Sequence, residues 1–433
     1  DDMGLGKTVQ ALAHLQLLKG EGRKGTTLVV TPKSLVFNWA RETQKFTPDL
    51  RFGSYIGPKR GQLLENLQDY DILFSTYGTV RRDVEVLSRQ NFLYIILDEA
   101  QAIKNVESQN AKAVRILNGE RRLILSGTPV ENHLGELWSL FDFLNPGMLG
   151  SYSAFKKRFG GELGVDSGGL KFLRRTLRPF ILRRKKEEVA PDLPRRTEET
   201  ILCQMESDQK KIYNQLKERC RNSVLAQVKA KGMARSKLHI LEALLRLRQA
   251  ACHPALLDEE HAEKASGKMT ALVNMLEQVE AEGHKALIFS QFTSLLGIVR
   301  KSFDKLGTNY EYLDGKTRNR GEKVDRFQED EDCRFFLISL KAGGVGLNLT
   351  AADYVFILDP WWNPAVEAQA IDRAHRIGQD KKVFAYRFVS EGTIEERISD
   401  LQESKRKLAD AIVVADENIM RDMTKNDLEV LFS

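Results

Sequence analysis

The sequence begins with DDMGLGKT, a glycine-containing stretch with the composition of a phosphate-binding loop. In such a loop, small residues let backbone N–H groups point at phosphates, a lysine reaches the terminal phosphates, and a hydroxyl holds Mg²⁺. The residues at those positions are Gly4, Gly6, Lys7 and Thr8. Asp1 stands where the strict pattern has its first glycine, so a chance glycine turn is the alternative. The helical run from 9 to 18 favours the phosphate loop, which needs a helix N-terminus behind it.

Two adjacent carboxylates end an apolar run in the stretch 93–104, LYIILDEAQAIK. A buried strand that ends in Asp98 and Glu99 would place both at the carboxyl edge of a sheet, where ligands bind in open α/β folds. There Asp98 can hold Mg²⁺ and Glu99 can polarise an attacking water. An acidic helix start is the alternative for this pair taken alone. The glycine loop about ninety residues upstream favours the catalytic interpretation.

A third cluster lies in 369–379, QAIDRAHRIGQ. On a helix, Gln369, Arg373 and Arg376 occupy positions i, i+4 and i+7, so one amide and two guanidiniums share a face. Arginines supplied across a cleft stabilise the charge that develops on a γ-phosphate. The alternative is that Arg373 or Arg376 pairs with Asp372 or Glu367 on the surface. Only the presence of the other two motifs favours the catalytic interpretation.

Short apolar runs separated by helical stretches must position these residues. Such runs predict buried strands of parallel sheets. They lie at 28–30, 72–74, 94–97 and 123–125, and again at 286–289, 335–338, 354–358 and 383–386. The sequence therefore predicts an α/β protein with two lobes.

The middle of the chain is predicted to be mostly helical. Apolar residues fall at helical spacing in 134–144, and the proline-free stretch 206–251 carries a leucine stripe through 238, 241, 244, 245 and 247. The helix-breaking segment 190–194 is the predicted connection between the lobes. We expect a first lobe over 1–132, its helical protrusion over 133–189, a linker and second protrusion over 190–265, a second lobe over 266–400, and a C-terminal helix and tail over 401–433.

Composition excludes several classes of protein. Charged residues make up 29% and hydrophobic residues 42% of 433, which is typical of a folded protein and not of a disordered one. No apolar run reaches the 18 or so residues of a membrane-spanning helix, so we expect no membrane partner. The four cysteines contain no C-x-x-C pair, so we expect reduced thiols, no disulfide framework and no structural metal.

Positive charge is concentrated in the middle of the chain. The net charge is only +6, but 171–196 contains 10 basic and 3 acidic residues and 208–249 contains 11 and 3. Clustered lysine and arginine suit a polyanionic partner. Solvated helix faces are the equally weighted alternative.

Together the motifs resemble the ATPase core of the SWI/SNF-like remodelling and translocase family, within helicase superfamily 2. The resemblance spans nearly the whole chain in a fixed order. Gln101 stands where the family typically has histidine, a feature similar to prokaryotic members. The motifs are DDMGLGKT (1–8), TPKSLVFNWARE (31–42), STYGTVRRD (75–83), DEAQAIKN (98–105), LSGTPVENHLGELWSLFDFLNP (125–146), KALIFSQFT (285–293), LDGKTR (313–318) and the long run 337–379.

This resemblance implies two stacked recombinase-like (RecA-like) lobes that close on Mg²⁺-ATP. It implies that Arg373 and Arg376 reach the γ-phosphate from the second lobe, that Gln369 assists them, and that Gly346 approaches the nucleotide. The segment implied to couple hydrolysis to movement contains Ser126, Gly127 and Thr128. Because the sequence starts inside the phosphate loop, we also expect residues upstream in the natural protein, including the segment that recognises adenine.

Double-stranded DNA is the implied partner, held by loops at the strand ends. Hydroxyls, amides and basic side chains on backbone phosphates carry no base information, so we expect sequence-tolerant, salt-sensitive binding. For Trp361 and Trp362, packing between lobes is favoured over base stacking. The candidate DNA contacts are Lys33, Ser34, Trp39, Ser75, Thr76 and Tyr77 in the first lobe and Ser290, Gln291, Lys316, Arg318, Ser339 and Lys341 in the second.

Two further motifs resemble sites but have simpler explanations. Ser266-Gly267-Lys268 imitates a phosphate loop, yet it precedes an apolar-periodic run at 269–279, so helix entry capped by Ser266 is expected. Cys252-His253-Pro254 lacks a second ligand pair, so the histidine is expected to end a helix.

The sequence thus predicts a DNA-stimulated ATP hydrolase that translocates along duplex DNA and remodels or displaces a DNA-bound protein. The alternatives are a strand-separating helicase and a DNA-binding scaffold with an inactive ATP site. Intact Lys7, Asp98, Glu99, Arg373 and Arg376 disfavour the scaffold. We expect a cytoplasmic, nucleoid-associated protein in a prokaryote, or a nuclear one in a eukaryote.

Overall fold

A computed structural model describes residues 1–127, 134–159, 172–173, 175–343, 347–361 and 364–400. The chain divides into two compact units between Asp192 and Leu193, inside the segment 190–194. Each unit contains a parallel sheet flanked by helices. The predicted α/β fold class with two parallel-sheet lobes is confirmed.

The first unit is built on a five-stranded parallel sheet in the order β2-β3-β1-β4-β5. Its central strands β3, β1 and β4 contain buried apolar runs because both faces of the sheet are covered. The strands end nearly in register, with Thr31 beside Thr76 and Asp98 beside Leu125. The strands are β1 Thr27–Thr31, β2 Phe52–Ser54, β3 Ile72–Thr76, β4 Asn91–Asp98 and β5 Asn118–Leu125.

Helices cover this sheet and follow its strand ends. Leu28, Val30, Leu73, Ile95 and Leu97 form one core cluster with residues of the flanking helices. The helices are α1 Lys7–Gly20, α2 Val36–Phe46, α3 Gln62–Glu65, α4 Tyr77–Arg82, α5 Val84–Leu87, α6 Gln109–Arg115, α7 Leu134–Leu144, α8 Tyr152–Phe159 and α9 Lys186–Val189, with 3₁₀ turns at Lys33–Leu35, Leu67–Asp69, Ala100–Ile103 and Arg178–Phe180.

The second unit contains a six-stranded parallel sheet in the order β6-β11-β10-β7-β9-β8. Alternate residues of β7 enter opposite cores, Leu287 and Phe289 on one face and Ala286 and Ile288 on the other. The strands are β6 Arg196–Cys203, β7 Ala286–Ser290, β8 Tyr310–Leu313, β9 Phe335–Ser339, β10 Tyr354–Ile357 and β11 Val383–Ser390.

Two long helices precede this sheet's central strands, and shorter ones connect the strands. The predicted helical middle is confirmed, with a break at Gly232, whose φ of 75° suits glycine. The helices are α10 Ser207–Lys231, α11 Met233–Cys252, α12 Gly267–Ala281, α13 Thr293–Leu306, α14 Arg320–Glu329, α15 Leu340–Gly343 and α16 Pro364–Ile371, with 3₁₀ turns at Pro254–Leu256 and Glu259–His261.

The prediction of 190–265 as linker and helical protrusion alone is wrong at its start. Residues Arg196–Cys203 form strand β6, paired with β11 along its whole length from Arg196–Val383 to Cys203–Ser390. The strand lies at a sheet edge with most of its side chains exposed, so it lacks the apolar run by which the other strands were found. Part of the predicted linker therefore belongs to the second sheet.

The leucine stripe of α11 is divided between core and solvent. Leu244 and Leu247 are buried and pack with Tyr213 of α10, whereas Leu238, Leu241 and Leu245 are exposed. The tail 401–433 lies outside the described residues. No helix in the described ranges is long and apolar enough to cross a membrane.

Candidate active site

The phosphate loop is a tight glycine turn at the start of α1. Gly4 and Gly6 have φ values of 80° and 71°, in the left-handed region where a Cβ is unfavourable. Lys7 is the first residue of the 14-residue helix, and Thr8 lies in its first turn. Lys7 Nζ donates to the carbonyls of Asp1 and Asp2, each at 3.0 Å. The loop thus combines a glycine cradle with a helix N-terminus, the arrangement that binds phosphate.

Arg184 holds the first residues of this loop, a contact that sequence reasoning missed. Its backbone N and Nε donate to Asp1 Oδ1 at 3.1 Å, and its Nη2 donates to Asp1 Oδ2 at 2.5 Å. Nη2 also donates to Gln10 Oε1 of α1 at 2.5 Å. Asp2 is fixed on both sides, by its own N–H to the Arg184 carbonyl and by the Lys186 N–H on its carboxylate. The run of basic residues at 183–186 was the available signal, but charge alone gave no partner.

Asp98 is the last residue of strand β4, and its side chain is buried. Its Oδ2 accepts from Trp39 Nε1 at 2.9 Å and from Thr31 Oγ1 at 3.3 Å, and its Oδ1 accepts from the Glu99 amide at 2.9 Å. Burial raises the pKa of Asp98, although these hydrogen bonds and the positive charge of Lys7 act in the opposite direction. A buried carboxylate whose charge is incompletely compensated suits a divalent cation.

Glu99 has an unusual backbone. Its φ of 47° and ψ of 56° are left-handed, and it is the only non-glycine residue with positive φ in the described ranges. Such a conformation costs on the order of 1–3 kcal/mol and persists where the surroundings impose it. It turns the chain sharply after Asp98, so both carboxylates, each at most 9% exposed, stay at the strand end.

The loop after β5 contacts the phosphate loop directly. A Cβ added to Gly127 would lie 2.7 Å from Cε and 2.8 Å from Cγ of Met3. Ser126 and Gly127 therefore adjoin the turn that contains Gly4 and Gly6. Thr128, the third predicted coupling residue, lies outside the described residues.

These observations fit a nucleoside triphosphate with Mg²⁺. The glycine turn and helix N-terminus supply backbone donors, Lys7 supplies a cation, and Thr8 and Asp98 supply oxygen ligands of the kind Mg²⁺ prefers. Where the structure is described, no three His, Cys, Asp or Glu side chains cluster as a metal site. A magnesium ion here would thus depend on phosphate and water oxygens as well.

In the second unit, the predicted helical alignment of Gln369, Arg373 and Arg376 is wrong. Helix α16 ends at Ile371, and turns follow, in which the N–H groups of Arg373 and Ala374 bond three residues back. Gln369 and Arg373 are buried and Arg376 is half-buried. The two carboxylates considered for surface pairing have other partners, since Glu367 binds Arg387 at 2.7 Å and Asp372 binds Arg196 at 3.3 Å.

Gln379 holds the turn that contains the two arginines. Its Nε2 lies 2.9–3.1 Å from the carbonyls of Thr350, Ala352 and Ala374, and the Leu349 N–H donates to the Arg373 carbonyl. One amide group therefore ties the arginine turn to the loop before β10. Gln379 is the last residue of the motif 369–379, but its role depends on tertiary contacts that cannot be read from the sequence.

Among the predicted DNA contacts, several are buried and hold the loops instead. Trp39 is fully buried, so its predicted direct contact with DNA is wrong; its indole donates to the Asp98 carboxylate instead. Tyr77 donates its hydroxyl to the Asp98 carbonyl at 2.8 Å. Ser75 donates to the Tyr55 carbonyl, and Ser290 donates to Asp359. Ser339 is also buried, and the Ala342 amide donates to its hydroxyl at 3.4 Å.

The remaining candidates lie at the carboxyl edges of the two sheets. Ser34 and Thr76 are half-buried, and Thr76 caps α4 by accepting from the Thr79 N–H at 3.1 Å. In the second unit, Gln291 follows β7, Lys341 lies in the short helix α15 after β9, and Lys316 and Arg318 lie in the loop after β8. These three strands are neighbours in the sheet. The exposed cations are Lys33, Lys316, Arg318 and Lys341.

Comparison with known proteins decides the family. The chain matches the SNF2-related domain over residues 1–256 and the helicase conserved C-terminal domain over 267–378. The chain belongs to the SNF2-related family. The resemblance drawn from the motifs is therefore confirmed.

Members of the SNF2-related family from bacteria and animals are similar to this chain. A putative ATP-dependent helicase/translocase, YwqA of Bacillus subtilis, is 40% identical over all of the chain and 48% of its own length. A mouse SWI/SNF-related regulator of chromatin, subfamily A member 1, is 36% identical over 96% of the chain and 41% of its own length. The chain thus spans less than half of these relatives. The Sulfolobus solfataricus SWI2/SNF2 ATPase core in complex with dsDNA is 36% identical, with all of this chain and 91% of that one covered and a TM-score of 0.48.

Some SNF2-motif residues lie outside the described ranges. These are Pro129, Gly344, Gly346 and Trp362. Trp361 is described and half-buried, and it packs against the core of the second sheet.

The two site-like motifs have structural roles in this SNF2-related chain. Helix α12 begins at Gly267 as expected, but Ser266 does not cap it, because its hydroxyl donates to the Cys252 carbonyl at 2.6 Å. Lys268 is buried and pairs with Glu395 at 2.6 Å, so it faces no phosphate. His253 follows the end of α11, as predicted, and its Nδ1 accepts from the Ala255 N–H.

Proposed function

We propose that this chain is the motor of a DNA-stimulated ATP hydrolase that translocates along double-stranded DNA and remodels or displaces DNA-bound protein. The observation that carries the proposal is the convergence of Lys7, Asp98 and Glu99 at one edge of the first sheet. Membership of the SNF2-related family and the helicase/translocase name of the Bacillus relative support it. The buried Asp98 and the strained Glu99 would have no evident purpose in an inactive scaffold.

The proposed roles follow from the chemistry of each side chain. Lys7 and the loop amides bind the phosphates, Thr8 and Asp98 hold Mg²⁺, and Glu99 accepts a proton from the attacking water. Mg²⁺, when bound, withdraws charge from the phosphate oxygens. Arg373 and Arg376 of the second unit, with Gln369 and Gly346, complete the site in the proposed closed state. Closure then alternates with opening as DNA is gripped by the two units in turn.

ATP turnover of the purified chain with and without duplex DNA tests the enzymatic part. Lys7→Ala and Glu99→Gln should each lower turnover by at least about a hundred-fold, because each removes a group that acts on the transferred phosphoryl group or its nucleophile. Matched controls are Lys24→Ala and Glu120→Gln, which change exposed residues of the same unit. If turnover is absent, or if neither site variant lowers it, the scaffold alternative is correct.

Salt dependence of DNA binding tests the proposed DNA edge. Removing one phosphate contact by Lys316→Ala, Arg318→Ala or Lys341→Ala should weaken binding to all duplex sequences alike and reduce the log–log salt slope by about 1. Lys305→Ala is the control, because it changes an exposed lysine in the last turn of α13, at the opposite edge of the sheet. An equal effect of Lys305→Ala would place the DNA elsewhere.

Translocation and strand separation are told apart by two substrates. A duplex translocase displaces a bound third strand in an ATP-dependent way, whereas a helicase unwinds a blunt duplex. Unwinding without third-strand displacement would replace this proposal with the helicase alternative. Partners retained by the full-length protein, with and without Glu99→Gln, test the proposed remodelling of a DNA-bound protein.

A further inference from the structure

Arg248, in the basic segment 208–249, is not part of a solvated helix face. It lies near the end of α11 and is 2% exposed. Its Nη1 donates to Gln291 Oε1 at 3.2 Å, and its Nη2 donates to the Pro360 carbonyl and lies 3.7 Å from Asp359 Oδ2. One guanidinium thus contacts the loop after β7 and the loop after β10, which are neighbouring strands.

Asp359 holds the same loop from the other side. It is fully buried, and it accepts hydrogen bonds from the Ser290 hydroxyl and from the Gln291 N–H at 3.2 Å. Burial raises the pKa of Asp359 to about 6, while the positive charge of Arg248 and the Ser290 hydrogen bond act to lower it. Arg248 and Asp359 therefore fix both the backbone and the side chain of Gln291, a proposed DNA contact.

The second arm of the network leads to the helix before the arginine turn. After Pro360, the Trp361 N–H donates to Glu367 Oε1 at 2.7 Å. Glu367 is 3% exposed, and its other oxygen accepts from Arg387 Nε at 2.7 Å. It belongs to α16, two residues before Gln369 and six before Arg373. A continuous series of polar contacts therefore joins Gln291 to the element that precedes Arg373.

We propose that Arg248 is a positioning residue that couples DNA contact at Gln291 to the placement of Gln369 and Arg373. This inference rests on the proposed function, since it assumes that DNA binds at Gln291. A guanidinium suits the role because its planar fork meets three acceptors at once, whereas an ammonium is a compact point charge. If DNA displaces the Gln291 side chain, Arg248 must move with it or lose a buried hydrogen bond. Because Arg248 also binds the Pro360 carbonyl, the loop after β10 then moves as well.

The test compares Arg248→Lys and Arg248→Met with Arg246→Met, which changes an exposed arginine of the same helix. The readout is the ratio of ATP turnover with duplex DNA to turnover without it, recorded beside Tm and DNA affinity. We expect both Arg248 variants to lower this ratio by at least about ten-fold, as misplacement of catalytic groups does. Arg246→Met should change it by less than about two-fold, as surface substitutions do. A purely structural role predicts a lower Tm with an unchanged ratio.

Hydrogen exchange of the unaltered chain keeps the inference testable if both Arg248 variants unfold. Duplex DNA should slow exchange in 290–292 and, through the network, in 364–376. Slowing confined to 290–292, or an unchanged turnover ratio in a folded Arg248→Lys, would overturn the inference alone. If the unaltered chain shows no DNA-stimulated turnover, the proposed function fails and the inference fails with it.

Discussion

Replacing Trp39 with phenylalanine isolates one hydrogen bond of the nucleotide site. The indole is fully buried and donates to Asp98 Oδ2 at 2.9 Å. A hydrogen bond to a charged group contributes about 1.5–3 kcal/mol to stability, and a neutral one about 0.5–1.5 kcal/mol. Thr31 and the Glu99 amide still bind the carboxylate in the variant, so we expect the lost hydrogen bond to lower the free energy of unfolding by about 2 kcal/mol.

Trp138→Phe is the matched control. Trp138 is also buried in the first unit, but its Nε1 donates to the neutral Gly150 carbonyl at 3.0 Å. Each indole packs against an aromatic ring, Phe74 for Trp39 and Tyr152 for Trp138, and the Arg115 guanidinium also lies 5.3 Å from the Trp138 ring. Because Trp138→Phe also weakens that cation–π contact, the difference between the two variants gives a lower limit for the effect of the charge on Asp98. We expect Trp39→Phe to cost about 1 kcal/mol more.

Urea unfolding followed by far-ultraviolet circular dichroism measures the free energy of unfolding of both variants. The two values can be compared because both tryptophans lie in the first unit. Binding of duplex DNA, measured without nucleotide, is the second readout. We expect DNA affinity to stay within about two-fold for both variants, since neither changes an exposed surface. A Trp39→Phe chain that is no less stable than Trp138→Phe but binds DNA several-fold more weakly would refute the reasoning and restore the direct DNA contact.

Three further predictions concern contacts that the sequence alone did not reveal. Arg184→Met should raise the KM for ATP by about ten-fold, because it removes charge-assisted hydrogen bonds that hold the phosphate loop. Arg183→Met, at an exposed neighbouring position, should leave the KM unchanged. An equal rise for both variants would assign the effect to the loss of a positive charge near the site and not to these hydrogen bonds. Gly127→Ala should lower kcat and cost about 1–3 kcal/mol of stability, because its Cβ displaces Met3. Gly61→Ala, whose Cβ meets nothing within 4 Å, should leave kcat and stability unchanged. A normal kcat for Gly127→Ala would disprove coupling between Gly127 and the phosphate loop. Lys268→Met should lower the free energy of unfolding by about 3–5 kcal/mol, because it leaves Glu395 buried without its cation. The double variant Lys268→Met with Glu395→Leu should recover most of that loss. Loss of ATP affinity in a folded Lys268→Met chain would instead support a phosphate contact.

Apolar runs were sufficient to predict the strands that matter for the nucleotide site. Strands β1, β3 and β4 lie inside the sheet and are mostly buried, so each contains a continuous apolar segment. Strand β5 lies at the sheet edge, and only its apolar end at 123–125 predicted it. Strand β6 could not be found in this way, because an edge strand needs an apolar face on one side only and its exposed face is charged. The sequence therefore predicted the centre of each sheet better than its edges.

The arginine cluster shows a different limit. Spacing of i, i+4 and i+7 aligns side chains only while a helix continues, and α16 ends at Ile371. What shapes the following turn is Gln379, which binds three carbonyls from distant and local segments. Residue types indicated the chemistry of Arg373 and Arg376, but their geometry depends on tertiary hydrogen bonds that have no periodic signature.

Buried charge in the second unit is concentrated where a sheet edge must be held still. Arg248, Lys268, Asp359 and Glu395 are each at most 2% exposed, and Lys268 and Arg248 bind successive parts of one strand end, the carbonyls of Leu358 and Pro360. Replacing buried ion pairs by apolar residues is often neutral or stabilising, so stability alone is a weak reason for four such groups at one place. Apolar packing fixes a strand within its sheet, but it cannot orient the polar loop that follows. Directional hydrogen bonds from a buried cation can do so, and this accounts for their position at the end of β10, between the proposed DNA contact and the proposed catalytic arginines.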